Sequence, residues 1–429
     1  MDWEEFKNKV AVLLQGVKDY INLTLSEDSI KYSINEFDFE YNKEDYEILL
    51  NDITGYTCEN YAVSSDNSYE VIITNINNKY MDRDTIIQFC KIYDTRKHIT
   101  YRYNQISDKM VYCILNSIED LEINWLEEFY LSVSSNKCDL TLLNLIRFAF
   151  NSPSSLQIIC ELPIKSDILE KYAESFLFNI VYNTNDAFII AKSVSNIIGP
   201  SVAYKKNNNK TDKITPPKLL YKKYLIEQYT LAEFTLDTML EFISYYHIME
   251  YFFEDVYKEN LRKNLKNILI QPDFSATNDE DLNKIIKLFG NKGSDCSPGN
   301  EKDGLKLVLK NYVKINNLVD KLNVYKYDYI DYYKKYDVSF AKGPKVDLMS
   351  YEASVNKKEE DEVKNTIFNN IAKRIYATRN SIVHGKSNEL RNKERSIYRH
   401  FKNEEELAKE IPLMKAIAEE IIINTAKDL

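Results

Sequence analysis

Apolar positions in the first 200 residues recur in two rhythms. Short runs rich in β-branched and aromatic residues, bounded by Asn, Ser and Asp, predict strands at Tyr69–Thr74, His98–Tyr103, Tyr130–Ser134, Leu156–Leu162, Phe176–Tyr182 and Ala187–Lys192. Asp82–Ile92 and Leu140–Phe150 carry helical spacing, and the opening MDWEEFKNKVAVLLQG reads as an amphipathic helix. The expectation is an α/β or α+β domain over residues 1–202, of unknown ligand, with a sensor or regulatory role. The stretch Ala203–Pro217, AYKKNNNKTDKITPP, resists both helix and strand and is expected to be a linker.

Beyond the linker the period becomes helical. One long segment is predicted from about Leu219 to Lys266, then a short helix from Asp279 to Phe289 capped by Asn278 and closed by Gly290. Four of the nine glycines fall in Gly290–Gly304, which predicts a mobile loop. Val308, Tyr312, Ile315, Val319 and Leu322 space out a further helix, and Ala341–Lys364 reads as a charged connection. Two last helices are expected over Asn365–His384 and Asn403–Lys427, the second interrupted or kinked at Pro412. Residues 218–429 are thus expected to form an all-α bundle with loop-rich insertions near 290–304 and 341–364.

Composition narrows the class. The six cysteines form no CxxC pair and the four histidines lie apart from them, which argues against a structural zinc site and for a reducing compartment. The N-terminus lacks the basic region of a signal peptide, and no apolar run approaches the ~18 residues of a membrane span, so a cytoplasmic protein is expected. The net charge of −10 argues against indiscriminate nucleic-acid binding but leaves room for a local basic site.

Such a site is suggested by IAKRIYATRNSIVHGKSN. On a helical wheel Phe368, Ile371, Ala372, Ile375, Ile382 and Val383 make an apolar face, with Arg379 near its middle. A guanidinium there requires a counter-charge or an anion. Asn380 follows it, and His384 lies about 140° further round the same helix, so the two side chains of one chain diverge. Between Ala372 and Lys402 nine basic residues, among them Lys373, Arg374, Lys386 and Arg391, face two acidic ones, a composition suited to a polyanion. Glu250 and Glu254, on one stripe with His247, are candidate acceptors for Arg379, while Phe242, Tyr246, Met249 and Phe253 read as core. Arg395-Ser396-Ile397-Tyr398-Arg399-His400 repeats the Arg-to-His spacing without a clear apolar face and ranks below the first match.

The run Arg379-Asn380-Ser381-Ile382-Val383-His384 resembles the Arg–polar–x(3–5)–His motif of the HEPN ribonuclease superfamily. The resemblance spans residues 219–429 in helical outline and is sharp only over these six. It implies an HEPN-like bundle in which two protomers pair, their motifs building one RNA-cleaving site. Arg379, Asn380 and His384 would then be catalytic, with Glu250 and Glu254 supporting them and Lys373, Arg374, Lys386 and Arg391 binding RNA. RNA carries its own nucleophile, the 2′-OH, so such an enzyme needs no metal or cofactor. Histidine moves the proton near neutral pH and arginine meets the charge developing on phosphorus. The resemblance implies a 2′,3′-cyclic phosphate and a 5′-OH, in phage defence or as a toxin, with a trigger ligand or an inhibitor protein acting at the N-terminal domain. The alternative is a non-catalytic HEPN-like scaffold that binds RNA, a nucleotide or a partner protein.

Overall fold

The computed structural model describes residues 1–15, 21–34, 37–59, 61–75, 91–117, 141–150, 153–184, 188–193, 214–290, 301–351, 357–383 and 398–428. It divides the chain into two units, Met1–Leu220 and Tyr221–Asp428.

The first unit opens with helix α1, Trp3–Gln15, followed by an antiparallel meander of β1, Ile21–Leu25, β2, Ser29–Ile34, and β3, Phe37–Asn42. Helix α2, Lys43–Ile53, is launched by a capping box between Asn42 and Asp45, which satisfies the otherwise orphaned first amides. A second antiparallel sheet holds β4, Thr57–Glu59, β5, Ala62–Ser64, β6, Ser68–Asn75, β7, Lys91–Asp94, β8, Ile99–Gln105, and β9, Ser154–Cys160, in the order β4-β5-β6-β9-β8-β7. A further strand, β10, Phe188–Ile190, pairs with the end of β6.

The two-residue period of β6 sorts this sheet between two cores. Ile72 packs with Met110, Ile114 and Leu145 of helices α3, Asp108–Ser117, and α4, Leu142–Ala149. Tyr69, Val71 and Ile73 point the other way, to Leu169, Phe176 and Ile180 of helix α5, Ser166–Asn183. The expected strand at Phe176–Tyr182 is therefore wrong. The segment is the end of an eighteen-residue helix buried almost all round, and a helix without a polar face loses the periodicity that would distinguish it from a buried strand. Lys91 and Ile92 belong to a strand rather than to the expected helix, because they pair with Arg102 and Tyr101. The rest of that helix, the strand at Tyr130–Ser134 and residues 203–213 of the expected linker lie outside the described residues.

The described elements between residues 221 and 426 are helical apart from a single Val338–Gly343 bridge. The expected long segment is three helices: α6, Lys223–Phe234, α7, Thr238–Glu250, and α8, Phe253–Leu269. Thr235 turns extended and Asp237 caps α7 through the amides of Met239 and Leu240, so the continuous apolar pattern hides a break. Helix α9 spans Asp279–Gly290, where Asn278 accepts from the Glu280 amide at 2.9 Å. The single helix expected through residues 308–322 is α10, Glu301–Tyr312, and α11, Ile315–Asn323, so Glu301–Gly304 is helical rather than loop. Helix α12, Tyr329–Lys335, and a 3-10 turn at Leu348–Tyr351 precede α13, Lys357–Val383, whose first turns replace the end of the expected connection. The last expected helix is two, α14, His400–Ala408, and α15, Ile411–Asn424, with Pro412 in the first turn of α15 where its missing N–H costs nothing.

Ionised groups knit this bundle from inside. Glu233 of α6 takes the Tyr245 hydroxyl at 2.6 Å and the Lys415 ammonium, while Glu419 takes Tyr229 at 2.8 Å and Lys321 at 2.6 Å. Two carboxylates thus face two ammonium groups, the balance that buried charge requires.

Candidate functional site

Helix α13 carries the motif and sets which of its arginines is buried. Ile367, Phe368, Ile371, Ala372, Ile375, Thr378 and Ser381 follow the helical period into the bundle, and Arg374 lies among them with its whole side chain enclosed. Both of its outer faces are used: Nε and Nη2 reach the two Glu410 oxygens at 2.6 and 2.7 Å, and Nη1 reaches the carbonyls of Tyr336 and Pro344 at 2.8 and 3.0 Å. Its guanidinium also lies 5.2 Å from the Tyr333 ring. Burial pushes the Glu410 carboxyl upward, against which Arg374 pulls it down. Arg374 is therefore a structural residue, and its expected role in binding RNA is corrected. A residue with every guanidinium nitrogen engaged and no exposed surface has nothing to offer a phosphate.

Arg379 lies at the edge of that stripe, its side chain 16% exposed. Nη1 meets Glu301 Oε2 at 3.2 Å and Asn380 Oδ1 at 3.2 Å, and the guanidinium sits 5.3 Å from the centroid of Tyr246. The Tyr246 hydroxyl donates to the same Glu301 oxygen at 3.3 Å. Burial first, then Glu301 and Glu250, push the Tyr246 phenol up while Arg379 opposes them, so the ring stays neutral and keeps its donor. Three helices, α7, α10 and α13, thus converge on one arginine.

The expected supporting acids are engaged elsewhere. Glu250 Oε2 lies 3.9 Å from His247 Nε2, and Glu254 pairs with Lys258 at 2.5 Å within its own helix. The carboxylate at Arg379 is Glu301, which follows the glycine-rich segment; no local spacing links positions 301 and 379, so the sequence holds no signal for it. Tyr246, read as core, is 1% exposed and is core that also touches the arginine.

Lys373 is exposed. His384, Lys386 and Arg391 lie outside the described residues, so the structure brings together only Arg379 and Asn380 of the motif. Beyond that segment the Tyr398 amide donates to the Ser381 carbonyl at 3.2 Å, tying the chain back to the end of α13. Arg399 and His400 of the lower-ranked match follow directly, His400 opening α14.

Among the described residues no cluster of three His, Cys, Asp or Glu side chains could hold a metal ion, and no helix is long and apolar enough to cross a membrane. Comparison with protein-family models, with curated proteins and with solved structures finds no match to this chain.

Proposed function

We propose that the chain is a metal-independent endoribonuclease of the HEPN kind, acting in phage defence or as a toxin, whose second unit pairs with a second copy to build the cleaving site. One observation carries the reading: Arg379 and Asn380 of the Arg379-Asn380-x3-His384 run lie near the C-terminal end of a long helix in a helical unit, with Arg379 gripped by Glu301 and Tyr246 from two neighbouring helices. In this reading Arg379 meets the phosphate, Asn380 orients it or the histidine, and His384 moves the proton of the 2′-OH or of the leaving 5′-oxygen. Glu301 holds in place a guanidinium whose planar fork suits a phosphate as well as a carboxylate. The first unit would sense a trigger or receive an inhibitor.

The second reading is a non-catalytic HEPN-like scaffold binding RNA, a nucleotide or a protein. It is favoured by the same contact, since an arginine already matched with a carboxylate and a ring has the partners of a structural ion pair.

Substitution separates the two. Arg379→Ala and His384→Ala should each lower RNA cleavage by about 10²–10⁴-fold while the melting temperature is kept. His400→Ala should leave most of it. Cleavage undiminished in both motif variants, or lost in His400→Ala alone, would show the assignment to be wrong.

A further inference from the structure

Residues 324–345 of the second unit carry six tyrosines. Tyr336 and Tyr327 are 56% and 48% exposed, yet both lean on Tyr332, which is 6% exposed. Tyr336 stacks on it at 5.4 Å with 28° between planes, and Tyr327 tilts against it at 6.2 Å. Tyr336 is therefore held by one face, and Tyr327 by tilted contacts to Tyr332 and Tyr329, so a ligand that stacks on these exposed rings need not first order them. Arg374 fixes the arrangement from beneath, its Nη1 binding the Tyr336 and Pro344 carbonyls and its guanidinium lying 5.9 Å from the Tyr332 ring.

Lysines outnumber carboxylates on this surface, where exposed Asp328 and Asp337 follow the two rings in sequence. Lys409 Nζ lies 5.6 Å from the Tyr332 centroid. Lys326, Lys342 and Lys345 are exposed and have no ion pair among the described residues, and Lys342 is held at φ 56° in the turn that Arg374 pins. Lys334 and Lys335 are exposed too but pair with Asp347 and Asp331 at 3.0 and 2.8 Å. On a chain with net charge −10, presented rings among unpaired lysines favour a polyanion that offers flat faces.

We propose that Tyr327 and Tyr336, with Lys326, Lys342, Lys345 and Lys409, form a docking platform for single-stranded RNA. The inference rests on the reading of the second unit as a ribonuclease, and it adds both a place and a strand preference. Bases in a duplex are stacked on one another and have no face to give, whereas an unpaired strand lays its bases on aromatic rings and its phosphates toward the lysines.

The test is fluorescence anisotropy of a short labelled oligouridine with the full chain in EDTA, in an Arg379→Ala background that leaves the strand intact. Tyr336→Ala should weaken binding about tenfold and the Tyr327→Ala, Tyr336→Ala pair about a hundredfold. Tyr→Phe at both positions should bind like the parent, and a duplex of equal length should compete much more weakly. Should the alanine variants misfold, Tyr336→Trp supplies the readout, its added indole fluorescence being quenched as RNA is added. Parent-like binding by the folded double alanine variant, equal competition by duplex, or unquenched indole emission from the Tyr336→Trp variant at saturation would overturn the platform and leave this face to a protein partner or to none. Cleavage by the wild type with those outcomes removes the platform alone. Tyrosine-dependent binding without any cleavage removes the nuclease reading alone.

Discussion

Arg379 and Tyr246 share one carboxylate oxygen: Glu301 Oε2 receives the guanidinium at 3.2 Å and the phenol at 3.3 Å. That shared acceptor makes Glu301 a strut for the arginine. Glu301→Ala should lower RNA cleavage about tenfold through misplacement of Arg379, and Glu301→Gln, which keeps an oxygen acceptor, should lower it less. Single-turnover cleavage rates decide this. A rate that rises in Glu301→Ala would mean that the carboxylate competes with phosphate rather than holding the arginine for it.

The two arginines of α13 should behave oppositely. Arg374→Ala strands the Glu410 carboxylate in a buried site and removes the donors to Tyr336 and Pro344. It should destabilise the second unit by about 3–5 kcal/mol. Arg379→Ala, at a partly exposed pair, should cost no more than about 1 kcal/mol. Urea unfolding of both variants gives the comparison, and equal losses would contradict it.

Alkali should unfold the helical unit. Burial pushes the phenols of Tyr229 and Tyr245 well above their ordinary value, with Glu233 and Glu419 adding to the effect. Burial alone would lower Lys415, but Glu233 and Glu419 outweigh it and raise it. Each raised group holds its proton in the folded state, so its contribution is full below the unfolded value of about 10 and lost as pH rises toward the folded value. Helical circular dichroism should fall together with the appearance of buried tyrosinate absorbance above pH ~10. Complete tyrosinate formation with the helix signal intact would refute this.

Because the proposed chemistry takes its nucleophile from RNA, cleavage should survive excess EDTA unchanged. Loss in chelator with recovery on adding magnesium or manganese would point to a different site.

Assembly is testable in the same preparations. On an ideal helical wheel the fifth residue after Arg379 lies about 140° round from it, so the proposed site needs two copies. Light scattering should find a dimer at micromolar concentration, and full activity from a monomer would remove the composite site.

What the sequence disclosed depended on whether a pattern was local. The strands at His98–Tyr103 and Leu156–Leu162 keep a less buried side, and Tyr69–Thr74, buried on both faces, was legible from its β-branched and aromatic residues between turn formers. Phe176–Tyr182 was not, since burial on every side erases the period. The breaks at Thr235–Asp237 and Tyr251–Phe252 were hidden because apolar residues continue through them. At the candidate site the wheel placed a guanidinium on the buried stripe but chose Arg379. A helix that begins at Lys357 and turns through Ile367, Ile371 and Thr378 puts Arg374 there instead. Glu301, at the start of α10, and Glu410, at the N-cap of α15, are the carboxylates that meet these arginines, and that pairing is tertiary information.

The strand order of the first unit also has a consequence for synthesis. β6 finds one neighbour at once, in the hairpin with β5, but its other edge waits for β9. Between Asn75 and Cys160 a ribosome adding ~5–20 residues per second needs roughly 4–17 s. Throughout that interval the VIIT segment of β6 has a bare row of amides and carbonyls, available to any other extended chain. The first unit is therefore the part of this protein most dependent on protection while it is being made, and the helical unit, whose elements fold on themselves, is the part least so.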